Sequence, residues 1–150
     1  MQDISATGIS LLVKADKTFP NGFTVTQFAD DADPFDLPSL GIAATAMNIN
    51  GGLVTWSAPQ PINPTLNVIP GSEDDNNLAT LFEANRAAAG KTVARDIITI
   101  VATYPDGSTV TLSNGKMTSG FPGKSIASAG RMKSKAYSFM FQDLALTRAQ

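Results

Sequence analysis

The side chains most capable of chemistry in this sequence form an acidic cluster. Four aspartates lie close together in the first quarter of the chain: Asp30, Asp31, Asp33 and Asp36. Hard cations such as calcium bind clustered carboxylates, but this segment lacks the central glycine and closing glutamate of an EF-hand loop, and Pro34 stiffens it. We therefore predict no metal site. We interpret residues 30–36, the acidic segment, as a contact between subunits, with a solvated loop as the alternative.

A basic group lies near the other end of the chain. Arg131, Lys133 and Lys135 alternate along the sequence, and at strand spacing their side chains share one face. This pattern indicates a partner for the acidic segment of an adjacent subunit, or else a charged edge that prevents aggregation. Nucleic-acid binding is less favoured, because the nearby Tyr137 and Phe139 have the spacing of core residues rather than of a base-stacking platform.

The sequence contains no histidine and no cysteine. Without them the Ser-His-Asp and Cys-His mechanisms, disulfides and thiolate metal sites are all excluded. A carboxylate pair could still act as it does in glycosidases, but this needs two acids across a cleft, one of them with a raised pKa. Nothing in the sequence marks such a pair. We predict that the protein is not an enzyme and needs no cofactor.

Charge is unevenly distributed along the chain. Residues 1–75 contain nine acids and two lysines, whereas residues 76–150 contain four acids and nine bases. Surface solvation alone can account for this division. Alternatively, an acidic surface on one copy meets a basic surface on the next, and such head-to-tail contacts build rings and open stacks.

Length and composition indicate one domain over residues 1–150. Hydrophobic residues make up 43% of the 150 residues, enough for a single core. No apolar run approaches the roughly 20 residues of a membrane span. The first ten residues carry Asp3 and no basic cluster, so we expect no secretory signal.

Most of the sequence has the composition of β-strands, with Thr, Val, Ile and Phe in short runs broken by Gly, Pro and Asn. Asn50-Gly51-Gly52 predicts a hairpin turn, since Asn and Gly tolerate positive φ. Pro61 and Pro64 lack an N–H and indicate an edge strand. We predict about eight strands in an antiparallel β-sandwich or partly closed barrel, including Ser5–Ala15, Phe23–Phe28, Ile42–Ile49, Leu53–Ser57, Ile62–Ile69, Asp96–Tyr104 and Ser108–Leu112, with a last strand through Tyr137, Phe139 and Phe141.

One segment has helical character. Ser72 is a favourable N-cap, and the three acids that follow it suit the positive end of a helix dipole. Apolar residues then recur at helical spacing up to Ala89, and Gly90 is a natural terminating residue. The sequence thus predicts a helix over about 73–89 packed on the sandwich. Trp56 and Phe82 are interpreted as core or interface residues, and residues 115–135 as a long loop or flexible hairpin.

Three stretches together resemble tail tube proteins of contractile-tailed bacteriophages. They are PNGFTVTQFADDADPFD at 20–36, NGGLVTWSAPQPINPTLNVIPGSEDDNNLATLFEANRA at 50–87, and YPDGSTVTLSNGKMTSGFPG at 104–123, continuing to SAGRMKSKAYSFMF by 141. The resemblance depends on the order and spacing of these stretches, not on one diagnostic motif.

The resemblance implies a definite architecture. Six copies of a β-sandwich with one flanking helix would close into a ring through inter-subunit sheets, and rings would stack into a hollow tube for genome DNA inside a contractile sheath. Expected partners are the chain itself and the tail sheath, tape measure, baseplate and tail terminator proteins, with DNA passing through without specific binding. We expect assembly in the host cytoplasm and a final location in the virion. A mildly acidic chain, with a pI near 4.9, suits a conduit that must not bind DNA.

Two alternatives remain at this point. Related injection machines, such as pyocins and type VI secretion systems, use tube proteins of the same fold. A monomeric surface- or carbohydrate-binding β-sandwich from a tail fibre is the alternative of another class, for which we expect solvent-facing clusters of aromatic residues.

Overall fold

The structure, a computed structural model, describes residues 8–29, 33–126, 128 and 130–148. These residues form nine strands and one helix, and the strands pair antiparallel throughout. The predicted mainly β fold with one helix is confirmed, and the sheet does not close into a barrel. In chain order the elements are β1 (Ser10–Ala15), β2 (Phe19–Val25), β3 (Phe35–Asp36), β4 (Ala43–Met47), β5 (Leu53–Ser57), β6 (Thr65–Val68), α1 (Glu73–Asn85), β7 (Ile98–Thr103), β8 (Thr109–Ser119) and β9 (Lys135–Thr147).

Seven of the strands form one sheet in the order β2-β1-β7-β8-β9-β6-β3. Alternate residues of these strands point to one side and bury the core, as the period of two requires. Strand β7 shows the pattern, since Ile98, Ile100 and Ala102 are buried while Thr99 and Val101 are half-buried. The nearly continuous apolar run of residues 96–104 is typical of a strand covered on both faces, but only one face is fully covered.

The longest pairing in the sheet is the β8–β9 hairpin. The predicted inward set of Tyr137, Phe139 and Phe141 is buried, which confirms their shared face. Strand β8 continues to Ser119, so residues 115–119 belong to the strand. In the connection that follows, residues 120–134, the Lys133 N–H donates to the Ser125 carbonyl at 2.7 Å. Beyond Ser119, the long loop and the flexible hairpin both remain predictions.

Strand β6 is not the edge that the prolines suggested. It pairs with β9 on one side and with the two-residue strand β3 on the other. Pro61 and Pro64 precede the strand, so neither interrupts its ladder. The edge is β3, where Phe35 pairs with Leu66.

Helix α1 begins as predicted, because the Ser72 hydroxyl accepts the Asp75 N–H at 3.2 Å. The helix ends at Asn85, four residues before the predicted end, and Gly90 lies in a turn beyond it. The end is fixed by the returning chain. The Asn85 side chain accepts the Asp96 N–H and donates to the Asp96 carboxylate, each at 2.9 Å. This reciprocal pair joins the end of the helix to the segment that enters β7.

Asp96 also holds the turn between β1 and β2. Its carboxylate accepts the Lys17 and Thr18 N–H groups at 2.9 Å and the Thr18 hydroxyl. Burial raises the pKa of Asp96, but the hydrogen bonds from Thr18, Asn85 and Lys17 outweigh burial and hold the pKa below its ordinary 3.8. The ionised carboxylate therefore stabilises the fold.

Candidate assembly surface

The acidic segment lies at the β3 edge of the large sheet. Asp33 and Asp36 are exposed there, and the Asn67 side chain donates to the Asp33 carbonyl at 2.7 Å. Asp30 and Asp31 lie outside the described residues. Within the part of the chain that the structure describes, no group of three or more acids could hold a metal ion. The role of this segment in subunit contact remains a prediction.

The three basic residues do not share one environment. Arg131 and Lys133 are exposed on the 120–134 connection. Lys135 begins β9 and points into the chain, where it is only 6% exposed. The expectation that the three share one face is wrong for Lys135, because its ammonium pairs at 2.9 Å with the buried carboxylate of Asp75. For Arg131 and Lys133, a subunit contact remains a prediction.

The acids at the start of α1 do more than complement its dipole. Glu73 is exposed, whereas Asp74 and Asp75 are buried. The Asp75 carboxylate accepts from the Lys135 ammonium, the Tyr137 hydroxyl and the Gly71 N–H, at 2.9, 2.9 and 2.8 Å. Burial, together with the neighbouring Asp75 carboxylate, raises the pKa of Tyr137 far above its ordinary value, so this hydroxyl acts only as a donor to Asp75. The sequence did not reveal this network, since Asp75 and Tyr137 are 62 residues apart in the chain.

Strands β4 and β5 form a separate two-stranded sheet that pairs with no other strand among the described residues. We call residues 43–57 the hairpin arm. Its pairing, in which Ala44 lies opposite Trp56 and Ala46 opposite Val54, confirms the predicted hairpin. These four side chains share one face, because directly opposed residues of an antiparallel pair point the same way. That face is apolar and open to solvent, with Trp56 51% exposed.

The tip of the hairpin arm is well ordered by its own hydrogen bonds. The Asn48 side-chain oxygen accepts the N–H groups of Asn50 and Gly52, at 3.0 and 2.8 Å. Gly51 adopts φ 83°, which a residue with a Cβ adopts at a cost. Ile49, at the tip, is fully exposed. The arm therefore has a defined shape although little of it is covered.

The end of β9 is a second uncovered apolar feature. β6 reaches β9 only as far as Ser138, with one further bridge from Ile62 to Phe141. Beyond Phe141 the described chain pairs with β9 on one side alone, through β8. Leu144 and Leu146 pair with the buried Leu112 and Val110 of β8 but are themselves 50% and 56% exposed. This free edge could accept another strand.

The hairpin arm and the free edge of β9 are continuous. A shallow groove at the base of the arm is lined by Ile42, Ile62 and Leu144. Ile42 extends the apolar face of the arm by one more pair, since its carbonyl accepts the Ala58 N–H at 3.1 Å. The apolar surface thus extends from Trp56 across the groove to the end of β9. Patches of this kind commonly mark protein–protein contacts.

Comparison with solved structures gives neighbours from contractile injection systems. The chain superimposes on a sheath/tube terminator of an extracellular contractile injection system (PVC) with a TM-score of 0.56 and 17% identity, covering 99% of both chains. It matches a chain of the anti-feeding prophage baseplate with a TM-score of 0.54 and 10% identity, over 100% of this chain and 99% of that one. The anti-feeding prophage tube-terminating cap gives 0.50 and 18%, over 99% and 95%. These likenesses show a shared fold.

Sequence comparison gives a family. No curated protein sequence matches the chain significantly. No helix in the described part of the chain is both long and apolar enough to cross a membrane. A family model described as "Tail fiber protein gp32" matches residues 2–145, nearly the whole sequence. The chain therefore belongs to the tail fiber protein gp32 family, as a structural tail protein and not an enzyme.

Proposed function

We propose that this protein is the tail tube subunit of a contractile phage, and that it acts by self-assembly into stacked, hexameric rings that form the conduit for genome DNA. One observation carries the proposal: the apolar surface of the hairpin arm is uncovered in the isolated chain. A two-stranded hairpin is at best marginally stable alone in water. A second copy that covers it would supply the missing packing.

The free energy gained when a second copy covers the arm can be approximated from Trp56. A tryptophan buries about 150–250 Å², and this one is 51% exposed. Covering the exposed half removes about 100 Å² of mostly apolar surface from water, which contributes about 2.5 kcal/mol at each contact. Every subunit in a ring makes this contact, so the effect repeats around the ring.

Several further features support a tube. The free edges of β2 and of the end of β9 lie on different strands of one sheet, so neighbouring copies can add strand to strand around a ring and cover both of these edges. Neighbours of the same fold belong to contractile injection systems. The resemblance stated from the sequence names the same kind of assembly. A pyocin or secretion-type tube would use these features equally.

A tail fibre component is a second candidate, favoured by the description of the family. A fibre module that binds surfaces or carbohydrate commonly presents grouped aromatic side chains. Among the described residues, the exposed large aromatics are Trp56 and Phe121, which lie on different elements. The apolar surface of the arm is otherwise aliphatic, which suits a partner protein better than a sugar.

Negative-stain electron microscopy of the purified protein tests the proposal. We expect long hollow tubes. Rings that never stack would instead indicate a terminator, and elongated trimers or monomers a fibre component. Val54→Asp places a charge on the apolar face of the arm and should abolish tubes without changing the melting temperature of the unassembled chain. Thr55→Asp, on the opposite face, is the matched control. Normal tubes from Val54→Asp would contradict the proposed role of the arm.

A further inference from the structure

Two consecutive buried carboxylates at the start of α1 bind two different parts of the chain. Asp74 and Asp75 are 5% and 1% exposed. Asp74 accepts hydrogen bonds from the segment after β2, whereas Asp75 binds the start of β9. The helix therefore begins at a junction between segments that are distant in sequence.

Asp74 holds the segment that leads into the acidic segment. One of its oxygens accepts the N–H groups of Thr26 and Gln27, each at 2.8 Å. Strand β2 has ended at Val25, and Asp74 supplies the acceptor that a neighbouring strand would otherwise provide. Ala29 then donates to the Asn67 carbonyl at 3.0 Å. The approach to the acidic segment thus depends on Asp74.

Asp75 holds the end of the 120–134 connection. The Lys135 ammonium, paired with Asp75 at 2.9 Å, also donates to the Pro122 carbonyl at 3.0 Å. One lysine therefore ties the first residues of the connection to its last. This connection carries the exposed Arg131 and Lys133.

Both carboxylates belong to one turn of helix, which Ser72 caps. Because a buried carboxylate is costly to leave without its partners, a displacement of this turn that breaks the bonds of Asp74 also strains those of Asp75. We infer that the Asp74–Asp75 pair couples the backbone order of residues 26–29, just before the acidic segment, to that of residues 130–135, at the end of the 120–134 connection. A contact that orders one of these two segments then favours order in the other.

This coupling gives residues 26–29 and 130–135 a joint role in the proposed assembly, but it depends only on contacts within one chain. It can therefore be measured on the unassembled protein, and its failure would leave the tube proposal standing. Likewise, absence of tubes would leave the coupling intact.

Amide hydrogen exchange on the dilute, unassembled full chain provides the test. Asp74→Asn removes the charge that holds Thr26 and Gln27. We expect exchange to rise there and also, by roughly fivefold or more, at the Lys133 amide. Lys135→Met should in turn raise exchange at Thr26 and Gln27, since a coupling free energy between two segments acts in both directions. Glu73→Gln, an exposed acid in the same helical turn, is the matched control and should change neither segment.

Amides of β7 serve as reporters of global opening. The inference is overturned if each variant loosens only its own segment, or if β7 exchanges faster by the same factor as the distant segment. Tyr137→Phe provides a milder perturbation in case Asp74→Asn is too destabilised to measure. It removes one hydrogen bond to Asp75 and should still accelerate exchange at Thr26 and Gln27, whereas unchanged exchange there would also overturn the inference.

Discussion

Replacement of Lys135 by methionine tests the buried ion pair directly. Methionine keeps much of the length of the lysine side chain but cannot neutralise Asp75, which is 1% exposed. Removing one partner of a buried pair typically costs about 3–5 kcal/mol, because the other charge remains uncompensated. Asp75 keeps the Tyr137 hydroxyl and the Gly71 N–H as donors. We therefore expect a loss near the lower end, about 3 kcal/mol.

For a chain of 150 residues, 1 kcal/mol shifts the melting temperature by about 2–4 °C, so Lys135→Met should melt about 6–12 °C lower. Thermal and urea unfolding of the unassembled protein measure the effect. Lys133→Met is the matched control: that lysine is exposed, and its loss should change stability by less than about 0.5 kcal/mol.

A double variant separates a missing charge partner from lost packing. Asp75→Asn combined with Lys135→Met leaves no uncompensated charge, so it should be more stable than Lys135→Met alone. The reasoning is refuted if Lys135→Met unfolds within 1 kcal/mol of the wild type. It is also refuted if the double variant loses the sum of both single effects, because the two side chains would then act independently.

Three other predictions concern the core, pH and charge. Gly115→Ala should cost about 1–3 kcal/mol, because a Cβ there would lie 2.6 Å from the Met140 carbonyl oxygen and against the Phe141 ring. Gly41→Ala should be nearly neutral in the same urea titration, because a Cβ there would meet the Gln60 side chain at an ordinary contact distance of 3.9 Å. The pKa of Asp96 is lowered in the folded protein, so its ionised form contributes stability that is present above the ordinary pKa of 3.8 and is lost as the pH falls through the folded value. The difference in unfolding free energy between wild type and Asp96→Asn should accordingly be constant above about pH 5 and shrink below it. A difference that grows in acid would contradict this sign. Replacing Asp30, Asp31 and Asp33 together by Asn should weaken polymerisation but leave the fold intact. High salt should partly reproduce the effect in a light-scattering assay. If neither treatment changes assembly, the acidic segment is not an interface.

Local signals in the sequence predicted local structure well. Ser72 and the acids after it marked the start of α1, and Asn50-Gly51-Gly52 marked the turn of the hairpin arm, because caps and turns depend on neighbours in the chain. The end of the helix was misplaced for the opposite reason. Asn85 ends the helix in partnership with Asp96, 11 residues further along, and no local pattern shows that contact.

The candidate site was less accessible to sequence reasoning. Nothing in the sequence distinguishes the buried Lys135 from the exposed Lys133 two residues earlier. The sequence pattern therefore groups Lys135 with Arg131 and Lys133. Its partner Asp75 is 60 residues away in the chain, and the helix dipole at the start of α1 already explained an acid at that position. Likewise, Trp56 fitted a core or an interface equally well by composition. Only the topology shows that β4 and β5 stand apart from the large sheet and leave Trp56 half exposed.

The ordered tip of the hairpin arm has a kinetic consequence. Asn48 organises the turn before any neighbour is present, so docking requires little further restriction of the backbone at the tip. Pre-organised binding elements lose less conformational entropy when they associate. Growth of a polymer from such subunits should be limited by how often two copies collide in a suitable orientation, and not by a slow folding step after they meet.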